Sequence, residues 1–363
     1  MTDPTGAPCD QLGSWAREQA PRAGAEAGLL RWVPVGTRSS GTLARVDPAG
    51  LVSPAGGGWS LDWWVGAEDR WHLPARERAV QQALVDGSPV VETRLRVPGG
   101  AVVHRVGAAQ GSQALDGREA VVVEIVNETP TPVAVALAVR PYDLTGTGGV
   151  GAIRGTGDRA LVVDDRWTVL ADRAPRLGAT ATGQGDPVGP VTGGGARPGP
   201  VSVVDGDGRA SAAVVFPLPH TARLTAVLVA GEPLRTPDGE LTDLPTMDAL
   251  AAGWARQVDH GLRVSLPDQA LESAITAARR RLVLVAPELA DRTSAADVAL
   301  VARALSAYGH DEDLRPTVAA ALDGQRLTGV LTDEECTLAA TGATLALLGW
   351  WWRHAHRPEL ADE

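Results

Sequence analysis

Residues 59–72, which read WSLDWWVGAEDRWH, bring together side-chain types that can recognise a sugar. Four of the 11 tryptophans lie in this segment, although the whole chain has only one Phe and two Tyr. Indole rings offer flat apolar faces for stacking, while carboxylates and guanidinium groups hydrogen-bond hydroxyls. The segment therefore predicts a ligand-binding surface, whose candidate residues are Trp59, Trp63, Trp64, Arg70 and Trp71.

The carboxylates of the same segment are weak candidates for acid/base chemistry. Cleavage of a glycosidic bond uses a pair of carboxyl groups that flank the bond. Asp62, Glu68 and Asp69 could supply such a pair. The competing interpretation is that these residues are solvated or form ion pairs around Arg70 and Arg76, as surface carboxylates commonly do. The sequence leaves both interpretations open.

The neighbouring Trp63 and Trp64 present a second alternative. Adjacent residues of a strand point to opposite faces, so at most one of the two can stack on a given ligand, and the other then anchors the core. No metal site and no cofactor is predicted, because the pair His354 and His356 has no Cys or paired carboxylates near it. The run GTGGVG (146–151) matches a dinucleotide fingerprint, but a turn and strand follow it where the fingerprint requires a helix.

The charge balance narrows the choice of partners. The net charge is −11, and all 33 basic residues are Arg, so nucleic acid and anionic membranes are not expected as partners. A glycan or another protein fits better. No apolar run approaches the roughly 18 residues of a membrane span, and the first residues do not resemble a signal peptide. A cytoplasmic location is therefore expected.

The first two thirds of the chain predict an antiparallel β-sandwich. Short β-rich runs broken by Gly, Pro and Asp follow one another with few helical segments between them. The exceptions are a helix predicted over 74–86 and a flexible, Gly/Pro-rich loop over 183–200. The predicted strands are 29–35, 90–97, 101–108, 120–127, 132–139, 160–163, 167–170, 201–204, 211–216 and 222–230.

Beyond Pro245 the apolar residues recur with the period of a helix. We therefore divide the chain into a sandwich domain, 1–245, and a domain 246–363 made of a linker helix and about two α/α hairpins. A short strand is predicted over 262–266. The predicted helices are 247–261, 266–286, 296–309, 313–324 and one from a capping box at 332–335 to the Trp350–Trp352 triplet.

This order of elements resembles the six-hairpin glycosidases, a group that includes glucoamylase-like and glycogen-debranching-like enzymes. The segments that carry the resemblance are NETPTPVAVALAVRPYD (127–143), FPLPHTARLTAVLVAG (216–231), GWARQVDHGLRVSLPDQALESAITAARRRLVL (253–284) and DVALVARALSAYGHDED (297–313). The stretch DWWVGAEDRWHLPARERAVQQALVDGSPVVETRLRVPGG (62–100), which begins within the Trp-rich segment, is similar to the opening of uncharacterised members. The resemblance implies a β-supersandwich followed by an α/α toroid.

The chain departs from that group in its helical part. Only about 100 residues follow Leu266, whereas a complete ring of helices needs roughly 200 or more. Of the polar signature before the helix near 294, only Arg292 and Asp297 remain. We therefore predict a truncated, degenerate and non-catalytic relative that binds a glycan or a partner through its Trp-rich face. The alternative is an active glycosidase completed by another chain. The incomplete helical face is expected either to fold back onto the sandwich, which gives a compact monomer, or to pair with a second chain, most simply in a homodimer; we favour the pairing.

Overall fold

The computed structural model describes residues 32–111, 115–143, 146, 148–234, 241, 243–291, 295–316, 319 and 338–355. The chain divides into two compact units, which we describe separately. The first contains residues 43–83 and 90–247 together with the chain before residue 36. The second contains 36–42, 84–89 and the chain from residue 248 onwards. Two short segments from the β-rich region thus belong to the helical unit.

The first unit is built from two antiparallel sheets, as predicted. The strands in chain order are β1 (Val33–Thr37), β2 (Gly41–Val46), β3 (Val52–Pro54), β4 (Ser60–Gly66), β5 (Trp71–His72), β6 (Val80–Leu84), β7 (Val91–Val97), β8 (Gly100–Ala109), β9 (Ala120–Asn127), β10 (Val133–Arg140), β11 (Ala152–Thr156), β12 (Ala160–Val163), β13 (Trp167–Ala171), β14 (Leu177–Ala181), β15 (Ser202–Val204), β16 (Ser211–Leu218) and β17 (Arg223–Ala230).

The first sheet has the order β1-β2-β3-β4-β10-β16-β14, with β5 paired to β4. The second has the order β15-β11-β12-β13-β17-β9-β8-β7-β6. Strands distant in sequence are therefore neighbours: β4 pairs with β10, which pairs with β16. Runs such as β9, AVVVEIVN, are buried on both faces, so apolar residues occupy consecutive positions instead of alternating with polar ones.

The predicted helix over 74–86 is wrong. The segment forms short 3₁₀ turns at Pro74–Arg76 and Val85–Gly87 with the edge strand β6 between them. Its Ala, Gln and Arg residues favour a helix locally, but pairing to the neighbouring strand outweighs that weak preference. The loop predicted over 183–200 also needs correction, because it contains the one-turn helix α1 (Val188–Thr192).

The second unit includes the α-helices α2 (Met247–Val258), α3 (Gln269–Val285), α4 (Ala295–Ala307) and α5 (Leu338–Ala355), with short 3₁₀ helices at Ala286–Asp291 and Asp311–Leu314. Their apolar faces meet in a single core. Each helix contributes at least one buried side chain to this core, including Trp254, Leu284, Leu305 and Trp351.

Local signals explain where two of these helices begin and end. Asp268 caps the N-terminus of α3, because its carboxylate accepts the backbone N–H groups of Ala270 at 2.9 Å and Leu271 at 3.1 Å. Gly309 follows α4 with a φ of 79°, a conformation that suits glycine after a helix. The helical period of the sequence and its capping residues therefore agree with the structure here.

Side chains of the helical part hold the two short segments that belong to this unit. Glu288 accepts the backbone N–H of Thr42 at 2.8 Å, and Arg280 donates to the carbonyl of Asp86. These contacts attach segments 36–42 and 84–89 to the second unit.

The strand predicted over 262–266 is wrong, because this stretch has no regular structure. Its amides bond elsewhere: Leu262 donates to the carbonyl of Tyr308, and Leu266 to the carboxylate of Glu272. The capping box at 332–335 and most of the helix predicted over 313–324 lie outside the described residues. Among the described helices, none has the length and apolarity that a membrane span requires.

Candidate functional site

Strand β4 places the two neighbouring tryptophans on opposite faces of its sheet. Trp63 stacks on His104 of the second sheet, with ring centroids 4.8 Å apart and planes 12° apart. Its indole N–H donates to the carbonyl of Ala49 at 3.0 Å. Trp64 joins a separate apolar cluster with Ala136 and Val215. The alternation expected for a strand therefore separates the two rings.

Burial corrects the predicted ligand surface for three of its tryptophans. Trp59, Trp63 and Trp64 have at most 1% of their surface exposed. Trp59 packs edge-on against Trp167, with centroids 6.0 Å apart. Rings enclosed in this way have no face open to a sugar, because neighbouring strands and loops already cover them. In this structure the three residues are packing residues.

Asp62, the first carboxylate candidate, is also buried. Its carboxylate accepts the backbone N–H of Trp63 at 2.8 Å and the indole N–H of Trp64 at 2.9 Å. Arg140 donates to it at 2.8 Å. Burial raises the pKa of Asp62, and the Arg140 charge opposes that rise. With its oxygens occupied and only 4% of the residue exposed, Asp62 has no open path to a substrate.

Arg140 and Asp186 complete this buried charge cluster, and sequence reasoning missed both. Arg140 donates to both oxygens of Asp186, at 2.9 and 2.8 Å, and its guanidinium lies 4.9 Å from the centre of the Trp64 ring. Arg140 is 78 residues from Asp62 and 46 from Asp186. No local spacing signals these contacts: the β4–β10 pairing brings Arg140 to Asp62, and Asp186 comes from the segment after β14.

The other half of the Trp-rich segment lies at the surface, in the hairpin that joins β4 to β5. Glu68, Asp69 and Arg70 are exposed at its turn, and Trp71 is half-buried. Trp71 lies flat over Gly66, where a Cβ atom would be 3.0 Å from the ring. We call Glu68, Asp69, Arg70 and Trp71 the Trp71 surface. Of the four tryptophan rings that the sequence predicted for a ligand-binding surface, the Trp71 surface contains one.

An ion-pair network supports this surface from below. The His72 ring contacts Asp69 through Nε2 at 2.9 Å and Glu77 through Nδ1 at 3.2 Å. Arg70 binds both oxygens of Glu77. The hydrogen bond from His72 lowers the pKa of Asp69, and the hydrogen bond from Arg70 lowers the pKa of Glu77. Both carboxyls are therefore ionised near neutral pH and cannot donate a proton.

Sequence reasoning missed His72 and Glu77 as members of the network. His72 stands in the Trp-rich segment and could have been included, because a His three residues after Asp69 is within reach across a tight turn. Glu77 was assigned to the predicted helix over 74–86, which separated it from Arg70. The wrong secondary structure thus hid this ion pair.

A second polar group lies inside the sandwich, around His104. The ring is buried, and its Nδ1 atom has no hydrogen-bond partner among the described residues. Burial lowers the pKa of His104 to about 3. Nearby Asp47 accepts the amides of Ala49 and Leu51 at 2.8 and 2.7 Å, and desolvation raises its pKa to about 7. His104 is neutral at physiological pH and serves packing.

In the described part of the chain, no group of three or more His, Cys, Asp or Glu residues is arranged to hold a metal ion. His356 and the side chain of His354 lie outside the described residues. The GTGGVG run leads into strand β11, which agrees with the rejection of a dinucleotide site.

The fold resembles that of solved glycosidases. A bacterial glucoamylase solved as a complex with acarbose aligns with a TM-score of 0.58 at 10% identity, covering 90% of this chain and 56% of that one. The chain therefore spans about half the length of that enzyme. At this identity the likeness shows a glycosidase-like fold and nothing about activity.

A second structure, the inverting mannosidase of family GH92 from Bacteroides thetaiotaomicron, aligns with a TM-score of 0.38 at 11% identity. The alignment covers 62% of this chain and 29% of the mannosidase. This likeness does not establish a shared fold. No protein-family model and no curated protein matches the chain.

Proposed function

We propose that this chain is a glycoside-hydrolase-like, cytoplasmic protein that binds a neutral oligosaccharide through the Trp71 surface and does not cleave it. The observation that carries the proposal is the fixed, half-exposed ring of Trp71 beside charged hydrogen-bonding groups. Gly66 supports one face of the ring, and Glu77 holds Arg70 in place. A platform fixed before binding loses little entropy when a ligand arrives.

The charges of the site favour binding over catalysis. Hydrolysis needs one carboxyl that can donate a proton and a second that acts as base or nucleophile. Asp69 and Glu77 both have lowered pKa values and share the His72 ring. Asp62 has a raised pKa but is enclosed. Asp62, Asp69 and Glu77 thus do not provide an accessible acid.

An active glycosidase completed by another chain is the alternative. The likeness to a glucoamylase of greater length favours it. It requires catalytic carboxylates beyond the Trp71 surface, and it predicts release of reducing sugar from maltoheptaose. A non-catalytic binder leaves that oligosaccharide intact under the same conditions.

We further propose that α3, α4 and α5 represent part of an α/α toroid and that their open face pairs with a second copy of the chain. In α5, Leu345 is 59% exposed and Trp352 45% exposed, and the small residues Ala346 and Gly349 are exposed beside them. Such a face on a soluble protein suits a partner helix. Light scattering tests this: a Leu345→Glu variant is expected to be monomeric, and a monomeric wild type contradicts the proposal.

Binding at the Trp71 surface is tested by calorimetry with acarbose, maltoheptaose, cellohexaose and mannohexaose. We expect one of these probes to bind the wild type, and Trp71→Ala to abolish the binding. Trp71→Phe is the matched control, because it keeps an aromatic ring over Gly66 and should weaken binding only partly. Equal affinity of the wild type and Trp71→Ala, or no binding to any probe, contradicts the proposal.

A further inference from the structure

The outer face of the first sheet has a row of small side chains beside Trp64. Ala136 lies opposite Trp64 across the β4–β10 pair, and Ala138 lies opposite Ala213 across the β10–β16 pair. Ala179 continues the row on β14. We call these five residues the floor. They belong to one apolar cluster, and Trp71 packs at its margin, so the Trp71 surface is continuous with the floor.

Residues 183–200, which we call the strap, cover this floor. Helix α1 lies within the strap and contacts β14 and β16. The strap adds few apolar side chains to the cluster, namely Val188, Val191 and Ala196. Most of its other residues are exposed. Because hydrophobic stabilisation follows the buried apolar area, these three side chains hold the strap weakly for its length.

One charged contact fastens the strap to the sheet. Asp186 in the strap receives two hydrogen bonds from Arg140, whose other nitrogen binds Asp62. Asp62 lies opposite Ala138 across the β4–β10 pair, so this contact sits beside the floor. Burial raises the pKa of Asp62 despite the adjacent guanidinium. When the strap covers the floor, Asp62 and Arg140 are removed from water. The cost of this desolvation opposes the electrostatic attraction among Asp62, Arg140 and Asp186.

Hydrogen bonds fix both ends of the strap. The backbone N–H of Gly183 donates to the carboxylate of Asp205 at 2.6 Å, and Arg197 exchanges two backbone hydrogen bonds with Gly178. The strap can therefore lift between these anchors without disturbing the strands. Its many glycines lower the barrier to the backbone changes that lifting requires.

We propose that the strap lifts to open a second binding position, in which a neutral oligosaccharide extends from Trp71 onto Trp64. Arg140, once released from Asp186 but still paired with Asp62, then hydrogen-bonds the hydroxyls of the sugar, and the indole of Trp64 packs against its ring. This extension rests on the proposed function of the Trp71 surface. It also explains why an aspartate and an arginine lie beneath a weakly held cover.

The test uses Asp186→Asn in the full chain. Asparagine keeps an oxygen that can accept the N–H of Val188, as Asp186 does at 3.0 Å, but it removes the charge that binds Arg140. We expect faster amide hydrogen exchange in the strap and about five-fold tighter binding of the probe that the wild type prefers, because the open state is more populated. Asp165→Asn is the control, because Asp165 forms an exposed pair with Arg154, and it should change neither quantity.

A double variant assigns the gain in affinity to the floor. Adding Trp64→Leu, which removes the aromatic face, to Asp186→Asn should return the affinity to the wild-type value while exchange in the strap stays fast. If wild type binds and Asp186→Asn binds no tighter, the second position is refuted and the Trp71 surface stands. If Trp71→Ala binds as well as the wild type, the proposed function fails instead. Unchanged exchange in Asp186→Asn refutes the lifting strap.

Discussion

The two halves of the Trp-rich segment have similar side chains and opposite environments. From Trp59 to Trp64 the chain is interior, with rings packed against Trp167, His104 and the alanines of the floor. From Glu68 to Trp71 it forms the surface turn of a hairpin, above an ion-pair network that includes the buried His72. The comparison shows that a Trp/carboxylate composition does not by itself locate a binding surface. The neighbouring strands decide which rings remain accessible.

The largest effect expected from this comparison is on stability. Trp63→Ala should lower the free energy of unfolding by about 3–5 kcal/mol, because it removes a buried ring and its hydrogen bond to Ala49. Trp71→Ala should cost no more than about 1 kcal/mol. Denaturant unfolding of both variants measures the difference. Similar losses of unfolding free energy in the two variants would show that Trp63 and Trp71 are packed to a similar extent.

The buried charges provide the next test. Arg140→Met leaves the carboxylates of Asp62 and Asp186 without their cation, and we expect a loss of about 3 kcal/mol. Arg154→Met is the matched control, since Arg154 and Asp165 are 52% and 63% exposed, and it should cost less than about 1 kcal/mol. A loss in Arg140→Met as small as in the control would contradict a buried, stabilising pairing with Asp62.

A smaller effect is expected from pH. The pKa of His104 falls from an unfolded value of 6.5 to about 3 in the folded chain, so the unfolded state binds a proton first as the pH falls. The contribution of His104 to the free energy of unfolding is therefore complete above pH 6.5 and decreases progressively down to about pH 3. At pH 5 the decrease is roughly 2 kcal/mol. Unfolding of wild type and His104→Gln at pH 7 and pH 5 isolates this residue.

Asp47 changes the free energy of unfolding with pH in the opposite direction to His104. The wild type is therefore compared with His104→Gln, so that the effect of Asp47 can be subtracted. Its pKa is raised from 3.8 to about 7, so its contribution is present below pH 3.8 and lost as the pH rises through 7. The residue is partly exposed, which reduces that contribution. Because Asp47 is unchanged in His104→Gln, its effect cancels in the difference. An identical pH dependence in both proteins would contradict the assignment to His104.

The smallest effect is expected at the support of the surface ring. A Cβ at residue 66 would lie 3.0 Å from the Trp71 ring, so Gly66→Ala should shift the ring and weaken oligosaccharide binding roughly three- to ten-fold, while stability changes by less than about 1 kcal/mol. Calorimetry measures the affinity. Gly206→Ala is the control, because its Cβ would meet nothing within 4 Å. Equal affinities would show that Gly66 does not position Trp71.

Periodicity alone predicted much of the fold. Strands such as 120–127 and 160–163 match β9 and β12 residue for residue, because apolar runs broken by Gly, Pro and Asp leave few other structures for the chain. The helices α2, α3 and α4 were predicted from the helical spacing of their apolar residues. The helix over 74–86 was wrong because its local composition opposed the strand pairing that the fold imposes on β6.

For the candidate site, the sequence predicted which residue types lie together but not which of them are accessible. The sequence established that Trp, carboxylate and Arg residues lie together in 59–72 and that Trp63 and Trp64 must face apart, since both follow from covalent spacing along a strand. The tertiary structure alone decided that Trp64 lies beneath the strap and that Trp71 stays partly exposed. Contacts such as Asp62–Arg140–Asp186 join residues from distant parts of the chain, and burial depends on those contacts, which no local pattern encodes.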